Sequence, residues 1–102
     1  MRVRVCESKE LARGSKRIVP TVAGLVAVFR LMDGTLVAIE DRCTHDGAEI
    51  ASGEVEGDVI TCPRHGARFC LRDGRVLSPP AYEDLRTFPV WEEAGEVFVE
   101  VG

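Results

Sequence analysis

Residues 61–69 read TCPRHGARF, and residues 42–50 read RCTHDGAEI. The chain of 102 residues has only two histidines and four cysteines. Even so, His45 stands two residues after Cys43, and His65 three residues after Cys62. Each pair follows a run of strand-forming residues, Thr35–Glu40 in one case and Val59–Thr61 in the other, so both pairs are loop residues at strand ends. Between them, Glu54–Glu56 and Val59–Thr61 flank Gly57-Asp58, a hairpin signature. If residues 46–61 fold back there, two thiols and two imidazoles meet at one tip.

A tip of that composition suits a soft or borderline metal centre. Zinc fingers commonly draw like ligands from one segment, as C-x₂₋₄-C with H-x₃₋₅-H. In this chain each segment supplies one cysteine and one histidine. That interleaving suits a site that puts two sulfurs on one metal and two imidazoles on another. A [2Fe–2S] centre in which two histidines replace two cysteines on one iron is such a site. A zinc-stabilised interaction module remains the reading from another class.

Bulk properties narrow the setting. Residues 1–102 are expected to form one domain. Apolar residues make up 45% and charged residues 29%, as in a soluble globular chain. A net charge of −4 disfavours a nucleic-acid partner. Met1 to Glu10 shows no secretory pattern, and the longest apolar run, Val22 to Phe29, is too short to span a bilayer. A cytoplasmic location with no membrane partner is the default expectation. Thiols there stay reduced, so spaced cysteines point to metal before disulfides.

The fourteen valines favour strands. Val3 and Val5 alternate with Arg2 and Arg4. Arg17–Val22 reads as an edge strand because of Pro20. Leu25–Leu31 and Thr35–Glu40 flank a turn at Met32-Asp33-Gly34. Arg72-Asp73-Gly74 is another turn. Leu85–Trp91 and Glu96–Val101 flank Glu92-Glu93-Ala94-Gly95. Ser8–Ala12 is a single helical turn with Ser8 as its cap. The fold expected is all-β: an antiparallel sandwich or barrel.

Cys43-Thr44-His45 together with Cys62-Pro63-Arg64-His65-Gly66 resembles the Rieske [2Fe–2S] ferredoxins. The likeness extends to Gly53, Gly57-Asp58, Phe69, Asp73-Gly74 and Ser78-Pro79-Pro80, and covers roughly residues 24–101. It implies an all-β fold with a smaller cluster-binding subdomain at about residues 41–82 and one [2Fe–2S] cluster per chain. Cys43 and Cys62 would hold one iron, and His45 and His65 the other through Nδ1, with their Nε2 edges facing solvent. It implies a proline loop at residues 78–80 covering the cluster. Members of the family's quinol-oxidising branch carry two further cysteines, joined as a disulfide, where this chain has Ala48 and Arg64. They also carry serine and tyrosine hydroxyls where this chain has Ala67 and Phe69. Fewer hydrogen bonds to sulfur imply a lower potential.

The resemblance is to the soluble ferredoxins that feed aromatic-ring dioxygenases. It implies an electron carrier, monomeric in isolation, between a flavoprotein reductase and a terminal oxygenase. The chain shows no nucleophile–base pair, so no catalytic residue is expected. The small subunit of an assimilatory nitrite reductase, partnered by its large subunit, is the second redox reading. Cys6 and Cys70 read as buried small hydrophobes. Arg42, Arg64 and Arg68 lie within three residues of a candidate ligand. They either form a basic docking rim or pair with Asp46 and Glu49.

Overall fold

Ten short strands make up the computed structural model, which describes residues 1–102. They are β1 (Arg2–Glu7), β2 (Lys16–Thr21), β3 (Gly24–Arg30), β4 (Leu36–Glu40), β5 (Glu54–Glu56), β6 (Val59–Thr61), β7 (Arg68–Cys70), β8 (Val76–Ser78), β9 (Val90–Glu93) and β10 (Glu96–Glu100). All strand pairs are antiparallel. They form an outer sheet β1-β10-β9, a central sheet β2-β3-β4 and a tip sheet β5-β6-β7-β8. No helix is long and apolar enough to cross a membrane.

The central sheet explains how so small a chain builds two cores. Val26, Ala27, Val28 and Phe29 of β3 are all buried. A strand's side chains alternate between its faces, so a continuous buried run needs cover on both sides. Val26 and Val28 join Ala38, Cys6, Val97 and Val99 in a core shared with the outer sheet. Ala27 and Phe29 join Val37, Ile39, Ile50, Ile60, Phe69 and Leu71 in a second core under the tip. Cys43 and Cys62 belong to that second core. The tip is therefore packed directly on the central sheet.

The structure corrects three local expectations. Leu85–Trp91 is strand only from Val90 onward. Pro89 has no N–H for a ladder, and the residues before it bond to β4. Glu40 N–H donates to Arg86 O at 2.9 Å, and Phe88 N–H donates to Ala38 O at 3.0 Å. Beyond Pro89, whose carbonyl accepts from Glu100 N–H, the chain runs in the outer sheet. Glu92 and Glu93, expected in the turn, are strand residues; Ala94 and Gly95 alone turn the chain. The helical turn is a 3₁₀ segment, Ser8–Glu10, capped by Glu7 and not by Ser8. Ser8 N–H is already held by Gly95 O, which leaves Glu7 as the last extended residue.

Candidate metal centre

The two loops that carry the Cys-His pairs share one plan. In loop one, residues 43–48, Cys43 N–H donates to Ala48 O at 2.7 Å and Gly47 N–H to Cys43 O at 2.8 Å. In loop two, residues 62–67, Cys62 N–H donates to Ala67 O at 2.7 Å and Gly66 N–H to Cys62 O at 3.1 Å. Gly47 and Gly66 take φ of 77° and 79°, the left-handed region where glycine has no steric cost. The sequence shows the same echo, C-x-x-x-G-A twice, with histidine at the third place in one loop and the fourth in the other. Sequence reading did not pick out that repeat.

The geometry sorts the four candidate ligands into two kinds. Cys43 and Cys62 are buried, at 0% and 2% exposure, and neither forms a disulfide. His45 and His65 are exposed. Their rings meet edge to face, with centroids 4.9 Å apart and planes at 88°. Burial pushes the Cys43 thiol up, and the adjoining Cys62 thiol adds to the rise; backbone N–H groups of His45 and Asp46 act against it. Two desolvated thiols in contact, with N–H donors aimed at sulfur, form a site that a cation would turn into stabilised thiolates. The donor set, two thiols inside and two imidazoles at the rim, fits a [2Fe–2S] centre of mixed ligation.

Neighbouring residues fix the loops in place. Asp41, buried at the end of β4, accepts the N–H groups of Ile50 and Ala51 through Oδ1 at 2.8 and 2.9 Å. Asp46 Oδ1 accepts Ala48 N–H at 3.0 Å, and that bond is the main reason its carboxyl lies below the usual range. Its Oδ2 lies 3.1 Å from Arg64 Nε and 3.5 Å from His65 Nδ1. Ligand atoms of His45, Asp46 and His65 fall within 4.8 Å of one another, but the Asp46 carboxylate is already engaged. Thr44 Oγ1 donates to Glu83 O at 2.7 Å, which fastens residues 79–84 to loop one. Ala81 from that segment packs in the same core as Cys43 and Cys62, while Pro79 stays exposed.

Of the three arginines near the ligands, Arg64 is paired, whereas Arg42 and Arg68 are exposed and outside any ion pair. Glu49 bonds Ser52 and neither arginine. Cys6 lies in the core of the outer sheet, and Cys70 is buried with its thiol toward the Asp73 carboxylate. Sequence reading missed Asp41, whose only signal was an acidic residue two places before Cys43. Asp41→Ala leaves two buried N–H groups without an acceptor and is expected to cost about 3 kcal/mol in denaturant unfolding. Asp41→Asn, which keeps an acceptor, should recover most of that.

Layered antiparallel sheets with a cysteine–histidine tip are the arrangement that an iron–sulfur centre of mixed ligation would use. The Rieske [2Fe-2S] domain model matches residues 1–89, so the chain belongs to the Rieske [2Fe–2S] family, and the zinc reading is set aside. It is 39% identical over 98 residues to the 3-phenylpropionate/cinnamic acid dioxygenase ferredoxin subunit of Photorhabdus laumondii, covering 95% of this chain and 91% of that protein. The Escherichia coli K12 protein of that name is 35% identical over 101 residues, covering 98% and 93%. Among solved structures, it is similar to a chain in a complex of reduced oxygenase and oxidized ferredoxin in carbazole 1,9a-dioxygenase. The TM-score is 0.88 at 35% identity, covering 96% of this chain and 91% of that one. Sphingomonas yanoikuyae B1 ferredoxin gives 0.88 at 27% identity over 100% of both chains.

Proposed function

We propose that this chain is the ferredoxin of a ring-dioxygenase system: it accepts one electron from a flavoprotein reductase and delivers it to a terminal oxygenase. The observation that carries this is likeness over nearly the whole chain to dioxygenase ferredoxin subunits, including one solved with its oxygenase. The same likeness favours this role over that of a nitrite reductase small subunit. The chain transfers electrons and is not itself the oxygenase. We place it in the cytoplasm as a monomer, with residues 1–102 as one domain and its cluster-binding part at about 41–82.

Cys43 and Cys62 would hold one iron of the cluster, and His45 and His65 the other. The bound cluster supplies a reversible one-electron couple. The chain's own residues set its surroundings. Cys43 and Cys62 keep the sulfur side dry within the tip core. His45 and His65 place imidazole edges at the surface, where a partner can approach. Ala67 and Phe69, both fully buried, line this region without hydroxyl donors. The potential is therefore expected nearer to about −150 mV than to about +300 mV. Voltammetry at pH 7 giving a value above zero would contradict that.

The functional test is stopped-flow electron transfer. The reduced protein should be reoxidised rapidly by a terminal oxygenase of the ring-dioxygenase class, and the oxidised protein reduced by that system's flavoprotein. Transfer to a sirohaem nitrite reductase, with none to the oxygenase, would overturn the proposal.

A further inference from the structure

No backbone hydrogen bond joins loop one to loop two: each closes on itself through two hydrogen bonds. Two contacts between them, the Cys43–Cys62 thiols and the His45–His65 ring edge, use the groups proposed as ligands. Asp46 reaches across from loop one by a different route. Its Oδ1 is fixed by Ala48 N–H within its own loop, which aims Oδ2 at Arg64 Nε of loop two, 3.1 Å away. The Asp46 side chain is 21% exposed and the Arg64 side chain 61%, and the Ala48 N–H bond holds the Asp46 end of the pair. His65 Nδ1 also lies 3.5 Å from Oδ2. Of these two partners, only Arg64 lies outside the proposed ligand set.

We propose that Asp46 and Arg64 form a polar latch that sets the spacing of the two ligand loops. Asp46 directly follows His45, and Arg64 directly precedes His65. The pair thus fixes the two chain segments nearest the imidazoles without occupying a ligand position. Asp46 and Arg64 are positioning residues. The role in cluster retention rests on the four-ligand proposal above, whereas the tie between the loops stands on geometry alone.

A mutant cycle on the full chain tests the latch. Asp46→Asn keeps an acceptor for Ala48 N–H but loses the charge opposite Arg64. Arg64→Gln removes the other end. The half-life of the visible absorbance under excess chelator is expected to fall about two- to fivefold in each single variant. The double variant should be no worse than either single one. Added salt should shorten the wild-type half-life and hardly change that of the variants, and Arg64→Lys should restore part of the loss. Wild-type half-lives in both single variants, or additive losses in the double, would overturn the latch. Amide exchange on chelator-treated protein gives a second test that needs no cluster. Asp46→Asn should speed exchange at Cys62 and Gly66, which lie in the other loop. Unchanged exchange there would also overturn the latch. Iron and sulfide analysis of the wild type tests the ligand proposal separately: a chain without iron defeats that proposal, and the exchange result still decides the latch.

Discussion

Cys62→Ser is expected to give a colourless chain that retains no iron yet keeps most of its β-structure. A serine hydroxyl does not supply the thiolate that the site requires. The sulfur of Cys62 also sits in the core beneath the tip, beside Ile60, Ala67 and Phe69. The core between the central and outer sheets contains neither candidate cysteine ligand. Loss of the metal should therefore loosen the tip, with the Asp46–Arg64 tie still joining its loops, and spare the sandwich. Metal-binding energy in such a site is also local folding energy. Hydrogen exchange should rise across residues 42–50 and 62–69 and stay low in β3, β4 and β10. Visible absorption with two irons retained in this variant would remove Cys62 from the ligand set. His65→Cys forms an instructive contrast. It can keep a cluster but should lower its potential, because thiolate donates more charge than neutral imidazole.

Gly53→Ala is expected to be strongly damaging although Gly53 is not a ligand. A Cβ at Gly53 would stand 2.1 Å from Thr61 O and 3.0 Å from Ile50 O, both backbone atoms. Neither can rotate away, so the β5–β6 ladder must shift. Glu54 pairs with Thr61 in that ladder, and Thr61 directly precedes Cys62. The strain is thus delivered to a candidate ligand. Overpacking of this kind costs about 3 kcal/mol. Thermal unfolding should show a lower midpoint, and the as-isolated protein should contain less than its full iron. A variant with wild-type stability and iron content would show that the close approach at Gly53 relaxes freely.

The candidate ligands were legible because their chemistry is written locally: each histidine sits two or three residues from a cysteine, at a strand end. The hairpins at Met32–Gly34 and Gly57-Asp58 were legible from turn residues for the same reason. What escaped depends on contacts distant in sequence. Residues 85–89 look like strand, but their hydrogen bonds go to β4 before the chain passes to the outer sheet at Pro89. The apolar run Val26–Phe29 marks a strand covered on both faces, and that requires knowing where the tip packs. For Arg64, the sequence admitted both a docking rim and an ion pair with Asp46; the structure forms the pair and leaves Arg42 and Arg68 exposed and outside any ion pair. Asp41 went unnoticed because an aspartate at a strand end is ordinary until its acceptors are seen facing Ile50 and Ala51.

The most direct measurement of the central claim is electron paramagnetic resonance of the reduced protein, with nitrogen couplings resolved and metal analysed on the same sample. The expected result is two irons per chain and a rhombic signal that carries couplings from two imidazole nitrogens, lost together with the cluster in Cys62→Ser. Stoichiometric zinc without visible absorption, or an iron signal with no nitrogen coupling, would contradict it.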